Sequence, residues 1–332
     1  MTPSLPRVTI GMPTRNRSEL AVRAIRHFLA QTYPNLEVVV SVDVCTDDTF
    51  ERVSEFKDSR LTIYRQTEPQ GMVGNFDFCL RHATGEYFIL IGDDDVLRPE
   101  AIERLMQPFL QGGASFAAKD VGLTWCPCRI VGVEGAEFWR TVGGPPTESP
   151  ASFLKELWSG ARGPRFSSII VRTADALAAG GYQQRHGDMC DIGNYGQAAL
   201  MHPVVVCVDE YLVDYTNHHK SCTSNSLVRQ WQDWARTILD DFLALTRSRN
   251  DVESERILRS ARRNFLSSIT LTILIQTIGK PGWVKNAIRE SLREPGIVFT
   301  PYMFRRLLAD GWKVLRVRKP GEAPQPGAMR TA

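Results

Sequence analysis

Asp93, Asp94 and Asp95 stand in succession after an apolar run over 87–91 and Gly92. Three carboxylates so close repel one another, and the cluster is costly unless a cation neutralises it. Hard oxygen ligands select Mg²⁺ or Mn²⁺, which bind through few carboxylates and leave positions open for substrate phosphates. The plainer alternatives are a solvated acidic loop that caps the next helix, or a pairing with Arg98. Asp43 closes another apolar run, Leu36–Val42. A carboxylate there can accept the imide hydrogen of uracil or thymine, or it can open a helix with Thr46, Asp47 and Asp48. Arg15 and Arg17 follow a third run and are of the type that contacts phosphate, and Asn16 between them is a helix-capping residue type.

These residues need elements to hold them. A β-branched run over 7–12 reads as a strand, and the apolar spacing of Ala21, Ala24, Ile25, Phe28 and Leu29 reads as a helix. Leu36–Val42 is apolar almost throughout, as in a parallel strand covered on both faces. Helix, strand, helix and strand follow at 48–56, 61–65, 75–82 and 87–91. This alternation implies a doubly wound, mostly parallel, Rossmann-like sheet. Ligands bind beyond the carboxyl ends of such strands, which is where 13–17, 43–48 and 92–95 fall. Further on, helices are expected at 101–110, 152–158, 173–179 and 191–201, and strands within 122–133 and at 166–171 and 204–208. Long helical periodicity covers 227–247 and 252–278.

The order of these features resembles the inverting family 2 glycosyltransferases. It comprises Pro13, Thr14, Arg15, Asn16 and Arg17 after a strand; Asp43, then Cys45, Thr46, Asp47, Asp48 and Thr49; Gly74 and Asn75; and Ala83 to Tyr87 leading to Gly92, Asp93, Asp94 and Asp95. The likeness spans roughly residues 7–220. It implies a GT-A fold, a nucleotide-diphosphate sugar donor, Pro13, Thr14 and Asp43 around base and ribose, and Mn²⁺ or Mg²⁺ on the acidic triplet. Arg15, Asn16, Asn75, Asp93 and Asp94 join the expected donor site. Val42 departs from the family, many members of which carry an acid there. The resemblance also implies a general base opening a helix that ends in an Ala–Leu pair. Counting back from Ala199 and Leu200 gives Asp191, preceded by Cys190 where a Glu is usual, with Asp188 in reserve. Tyr215 followed by His218 resembles a closing element whose His reaches the diphosphate or the metal, with His219 as its neighbour.

The bulk of the chain agrees with this reading. Its 332 residues, 43% apolar and 23% charged, suit one large α/β unit plus an appendage. The expected division is a catalytic domain over 1–225, a helical region over 226–319 and a mobile Pro- and Gly-rich tail over 320–332. The net charge of +3 hides a contrast, because the stretch from Arg256 onward carries fifteen Lys and Arg against four acids. The basic and apolar mixture over 301–319 suits either an anionic membrane surface or a packed helix with a solvated basic face. Seven cysteines form no CxxC pair, which argues against zinc and for a reducing, cytoplasmic setting. No signal peptide or membrane span is expected. A dinucleotide-dependent oxidoreductase is disfavoured because GxGxxG is missing after the first strand. The partners expected are a UDP- or dTDP-sugar and a glycan, lipid-linked or small hydroxyl acceptor, and not nucleic acid. The competing reading is an inactive sugar-nucleotide-binding or scaffold protein.

Overall fold

The computed structural model describes residues 5–132, 134–159, 162–217 and 228–277, together with Ile297. The chain opens as β1 (Val8–Thr14), α1 (Ser18–Leu29), β2 (Leu36–Val42), α2 (Thr49–Val53), β3 (Leu61–Arg65), α3 (Gly71–Arg81) and β4 (Tyr87–Leu90). It continues through β5 (Val96–Leu97), α4 (Ala101–Gln111), β6 (Val121–Trp125), β7 (Cys128–Val131), β8 (Glu137–Arg140), β9 (Thr147–Glu148) and α5 (Pro150–Trp158). Then come β10 (Ile169–Arg172), α6 (Thr173–Ala178), α7 (Cys190–Leu200), β11 (Val204–Cys207), β12 (Val213–Thr216), α8 (Val228–Ser248) and α9 (Val252–Thr277).

Eight strands form one sheet in the order β3-β2-β1-β4-β10-β6-β11-β9, and β5-β12-β7-β8 form a smaller one. β1 pairs in parallel with both β2 and β4, so the strand order reverses at β1. A crevice opens at the carboxyl ends of strands where the order reverses. β10 runs antiparallel to β4 and β6, which gives a mixed α/β sheet that remains mostly parallel in its first half.

Side-chain alternation divides the core between the two faces of the sheet. Val8, Ile10 and Met12 of β1 pack with Ile25 and Phe28 of α1 and with Leu105 of α4. On the opposite face Phe88 of β4 joins Cys79 and Leu80 of α3. Gly11 leaves room for this, since a Cβ there would lie 2.7 Å from the Phe88 ring. Fully burying a side chain such as Phe28 contributes about 1.5–3 kcal/mol. The second face also receives α8 and α9, through Trp231, Ile238, Leu239, Phe242, Leu258 and Phe265.

Two local expectations change. Asn16 does not cap α1; it has a φ of 54°, Arg17 precedes the first turn, and no side-chain cap is made. Its Oδ1 instead accepts the Thr46 amide at 2.7 Å, which ties the first crevice loop to the second. The strand expected over 166–171 begins as the 3₁₀ turn Phe166–Ser168, with β10 only from Ile169. His218, His219, the basic stretch 301–319 and the tail 320–332 lie outside the described residues.

Candidate active site

The loop after β1 is fastened to the loop after β2 along its length. The Asp43 amide donates to the Thr14 carbonyl at 2.9 Å, and Arg15 Nε donates to the Val44 carbonyl at 3.1 Å. The Arg17 amide donates to Thr49 Oγ1 at 3.0 Å. Asp43 is buried, and its carboxylate accepts the amides of Val44, Gln70 and Gly71 at 2.8, 2.9 and 3.2 Å. It therefore joins the end of β2 to the start of α3, and Oδ2, which accepts only the Gly71 amide of these, keeps lone-pair capacity for a further donor. Asn75, one turn into α3, is buried with Nδ2 on the Ser41 carbonyl, while its Oδ1 has no partner among the described residues. Pro13 is partly exposed at the same strand end.

The acidic triplet separates into two roles. Thr14 Oγ1 donates to Asp93 Oδ2 at 2.6 Å, and Arg17 Nη1 donates to Asp93 Oδ1 at 2.8 Å and to Asp94 Oδ2 at 2.9 Å. One guanidinium nitrogen thus stands between two carboxylates, as a cation would. Asp95 turns elsewhere: it accepts the Ser167 hydroxyl and, at 2.9 Å, the Thr216 amide. Thr216 Oγ1 also donates to the Asp94 carbonyl at 2.6 Å, so β12 and the 3₁₀ turn pin the loop in place. Gly92 is needed beneath it, because a Cβ there would lie 2.7 Å from Asp94 Oδ1. Burial raises the Asp93 carboxyl to about 6 despite Arg17, and raises that of Asp95 well above the usual range, with neighbouring Asp94 adding to the effect. Among the described residues no three carboxylate, histidine or cysteine side chains converge as metal ligands. Asp93 and Asp94 together supply two hard oxygens directed at one point.

Asp191 opens α7. Burial pushes its carboxyl up to about 6, opposed by the first amides of the helix and by the charge of Arg165. Asp188 lies in the preceding 3₁₀ segment Gln184–Met189 and repels Asp191 weakly. Tyr215 of β12 links the two halves of the site. Burial raises its phenol strongly, and it senses Asp95, Asp94, Asp191 and Arg165 together. The Arg165 guanidinium carbon lies 5.2 Å from the Tyr215 ring centre, and its buried Nε has no partner among the described residues. Sequence reasoning passed over Arg165, Ser167 and Thr216. They follow no local pattern, and only the pairings of β10 and β12 bring Ser167 and Thr216 to the triplet and Arg165 to the Tyr215 ring.

The topology and crevice define a GT-A glycosyltransferase fold. Residues 9–121, about a third of the chain, match the model of glycosyl transferase family 2. A Campylobacter jejuni GalNAc(5)-diNAcBac-PP-undecaprenol beta-1,3-glucosyltransferase is 34% identical over 113 residues, which are 33% of this chain and 37% of that protein. The Escherichia coli UDP-Glc:alpha-D-GlcNAc-diphosphoundecaprenol beta-1,3-glucosyltransferase WfgD is 30% identical over 109 residues, 33% of this chain and 43% of that one. The matched stretch is therefore less than half the length of either relative. In shape the chain is similar to Staphylococcus aureus TarS 1–349 in complex with UDP-GlcNAc, with a TM-score of 0.58 and 14% identity over 87% of this chain and 92% of that one. At that identity the likeness concerns the fold alone.

Proposed function

We propose that the protein transfers a sugar from a nucleoside-diphosphate donor to an acceptor hydroxyl, inverting the anomeric carbon. The observation that carries this reading is the meeting of Thr14, Arg17, Asp93 and Asp94 at the ends of β1 and β4, with Asp191 sensed by the same Tyr215. Asp43 and Asn75 would receive the base, and the remaining lone pair on Asp43 Oδ2 favours a uracil or thymine donor. The names of WfgD and of the TarS complex, which include UDP-Glc and UDP-GlcNAc, support uridine.

The reaction is a single displacement. Asp191 removes the acceptor hydroxyl proton, the freed oxygen bonds to the anomeric carbon, and the bond to the diphosphate breaks with its electron pair leaving on the phosphate oxygen. A positioned base of this kind contributes about 10²–10⁴-fold. Asp93 and Asp94 would hold Mg²⁺ or Mn²⁺, which when bound neutralises charge on the departing diphosphate. The undecaprenol diphosphate in the names of both bacterial relatives supports a lipid-linked glycan acceptor.

Among the described residues no helix is long and apolar enough to cross a membrane. The basic stretch 301–319 is then the part of the chain to bring such an acceptor within reach, as a peripheral contact. Flotation with anionic vesicles at low and high salt tests this contact; binding is expected to fall with salt and with removal of 301–332. The reading as a whole is tested by a thermal-shift screen of nucleotide sugars with and without Mn²⁺, because a ligand of the folded form raises its melting temperature. A metal-assisted rise with a UDP-sugar is the expected outcome, and no rise with any nucleotide sugar would sink it.

A further inference from the structure

The Arg17 guanidinium occupies the point toward which Asp93 Oδ1 and Asp94 Oδ2 are both directed, 2.8 and 2.9 Å away. Mg²⁺ bound by those oxygens would lie about 2.0–2.1 Å from each, in the same gap, so the ion and the guanidinium exclude one another. The two carboxylates are held firmly. Asp93 is fixed from behind by Thr14, the Asp94 carbonyl is fixed by Thr216, and their side chains are only 5% and 14% exposed. Arg17 has a side chain 32% exposed, more than either carboxylate. Its backbone amide is anchored on Thr49, so the long side chain can swing while its Cα stays in place.

We propose that Arg17 is a two-position residue that neutralises Asp93 and Asp94 when no divalent cation is bound, and is displaced by that cation onto the phosphates of the donor. The proposal rests on the donor reading above. A guanidinium is suited to either partner, since its planar fork pairs equally with carboxylate and phosphate oxygens. Displacement makes the cation and the nucleotide cooperative. The ion alone must break two ion pairs, whereas a diphosphate arriving with it offers the released guanidinium new acceptors.

The test is Mn²⁺ binding to the full chain at pH 7.5, followed by the electron paramagnetic resonance of the free ion, for the wild type, Arg17→Gln and Arg17→Lys, each with and without UDP. Wild type is expected to bind Mn²⁺ weakly alone and more tightly with UDP, by a factor in the usual range for coupled sites of roughly 5–150. Arg17→Gln is expected to bind Mn²⁺ alone more tightly than wild type and to lose most of the UDP coupling. Arg17→Lys keeps a charge without the fork and is expected to fall between them, which preserves the test if the Gln variant does not fold. Unchanged or weaker Mn²⁺ binding on removal of the guanidinium overturns the proposal. The UDP arms are corrected for Mn²⁺ chelated by UDP without protein, and failure of the wild type to bind UDP at all, read by calorimetry, instead removes the donor reading.

Discussion

A carboxylate serves as a base only while ionised, and at Asp191 burial works against ionisation, placing its titration at about 6. The acidic limb of the pH–rate profile should therefore fall near pH 6, with activity lost as the pH drops through it. The same shift bears on stability. Because the folded carboxyl holds its proton more tightly than the unfolded one, the stability it contributes is full below about pH 4 and is lost as pH rises through 6. Asp191→Asn is accordingly expected to abolish transfer, to spare UDP-sugar binding, and to stabilise the fold at neutral pH by at most about 3 kcal/mol. Melting curves at pH 7.5 and pH 4 check the sign, since the gain should shrink at the lower pH. Lost donor binding would count against its role as base. Asp95 is raised by burial in the same sense, and its side chain is held by the Ser167 hydroxyl and the Thr216 amide. Ser167→Ala removes one donor from it and should cost about 1–3 kcal/mol. That variant should also weaken Mn²⁺ and donor binding, because the loop carrying Asp94 is loosened; denaturant melts and calorimetry read the two effects.

Among the elements, α8 has the least obvious part in the site, because it buttresses the segment that delivers Asp191. His186 is fully buried with Nε2 2.7 Å from Asp241 Oδ2 on α8, and burial keeps its imidazole below the usual titration range. Next to it Gly187 has a φ of 52°, and a Cβ there would lie 1.9 Å from the Trp234 ring. Asp241→Ala leaves His186 with no partner for Nε2 and should cost about 1–3 kcal/mol. It should lower kcat more than it raises the donor KM, as Asp191 lies beyond this contact and the donor residues do not. Equal changes in the two constants would argue that α8 only stabilises. The elements that the sequence revealed are those with a clear apolar run or helical period: β1 to β4, β11, α1, α3, α4, α7 and both long helices were legible to within a few residues. β5, β8, β9 and β12 were not, because they are short, interrupt any apolar run with polar residues or turns, and depend on distant partners. The site divides in the same way. Asp43 and the acidic triplet stood out because carboxylates at the ends of apolar strands are conspicuous. Which triplet members share a cation was hidden, since Ser167 and Thr216, 72 and 121 residues from Asp95, decide where its side chain points.

For the molecule as a whole, the helical region shares a core with the sheet. Trp231, Ile238, Leu239 and Phe242 of α8 and Leu258, Phe265 and Leu266 of α9 belong to the same buried cluster as Phe88, Trp125 and Leu200. Trp158 of α5 stacks on Phe265 at 4.2 Å between ring centres, and Gly196 of α7 is small because Phe242 lies against it. The helices therefore cover an apolar face that the sheet-side elements would otherwise present to water. Each large side chain uncovered forfeits about 1.5–3 kcal/mol, and several together exceed the 5–15 kcal/mol by which domains are normally stable. A chain ending at residue 227 is thus expected to lose fixed tertiary packing, with weak near-UV dichroism, strong ANS binding and no UDP affinity. A chain ending at residue 300 keeps α8 and α9, and is expected to melt cooperatively and bind UDP while losing any attachment to anionic vesicles. If the shorter chain melted cooperatively and bound UDP, residues 1–225 would be a self-sufficient domain, and the helices could not be credited with holding the segment of Asp191 in place.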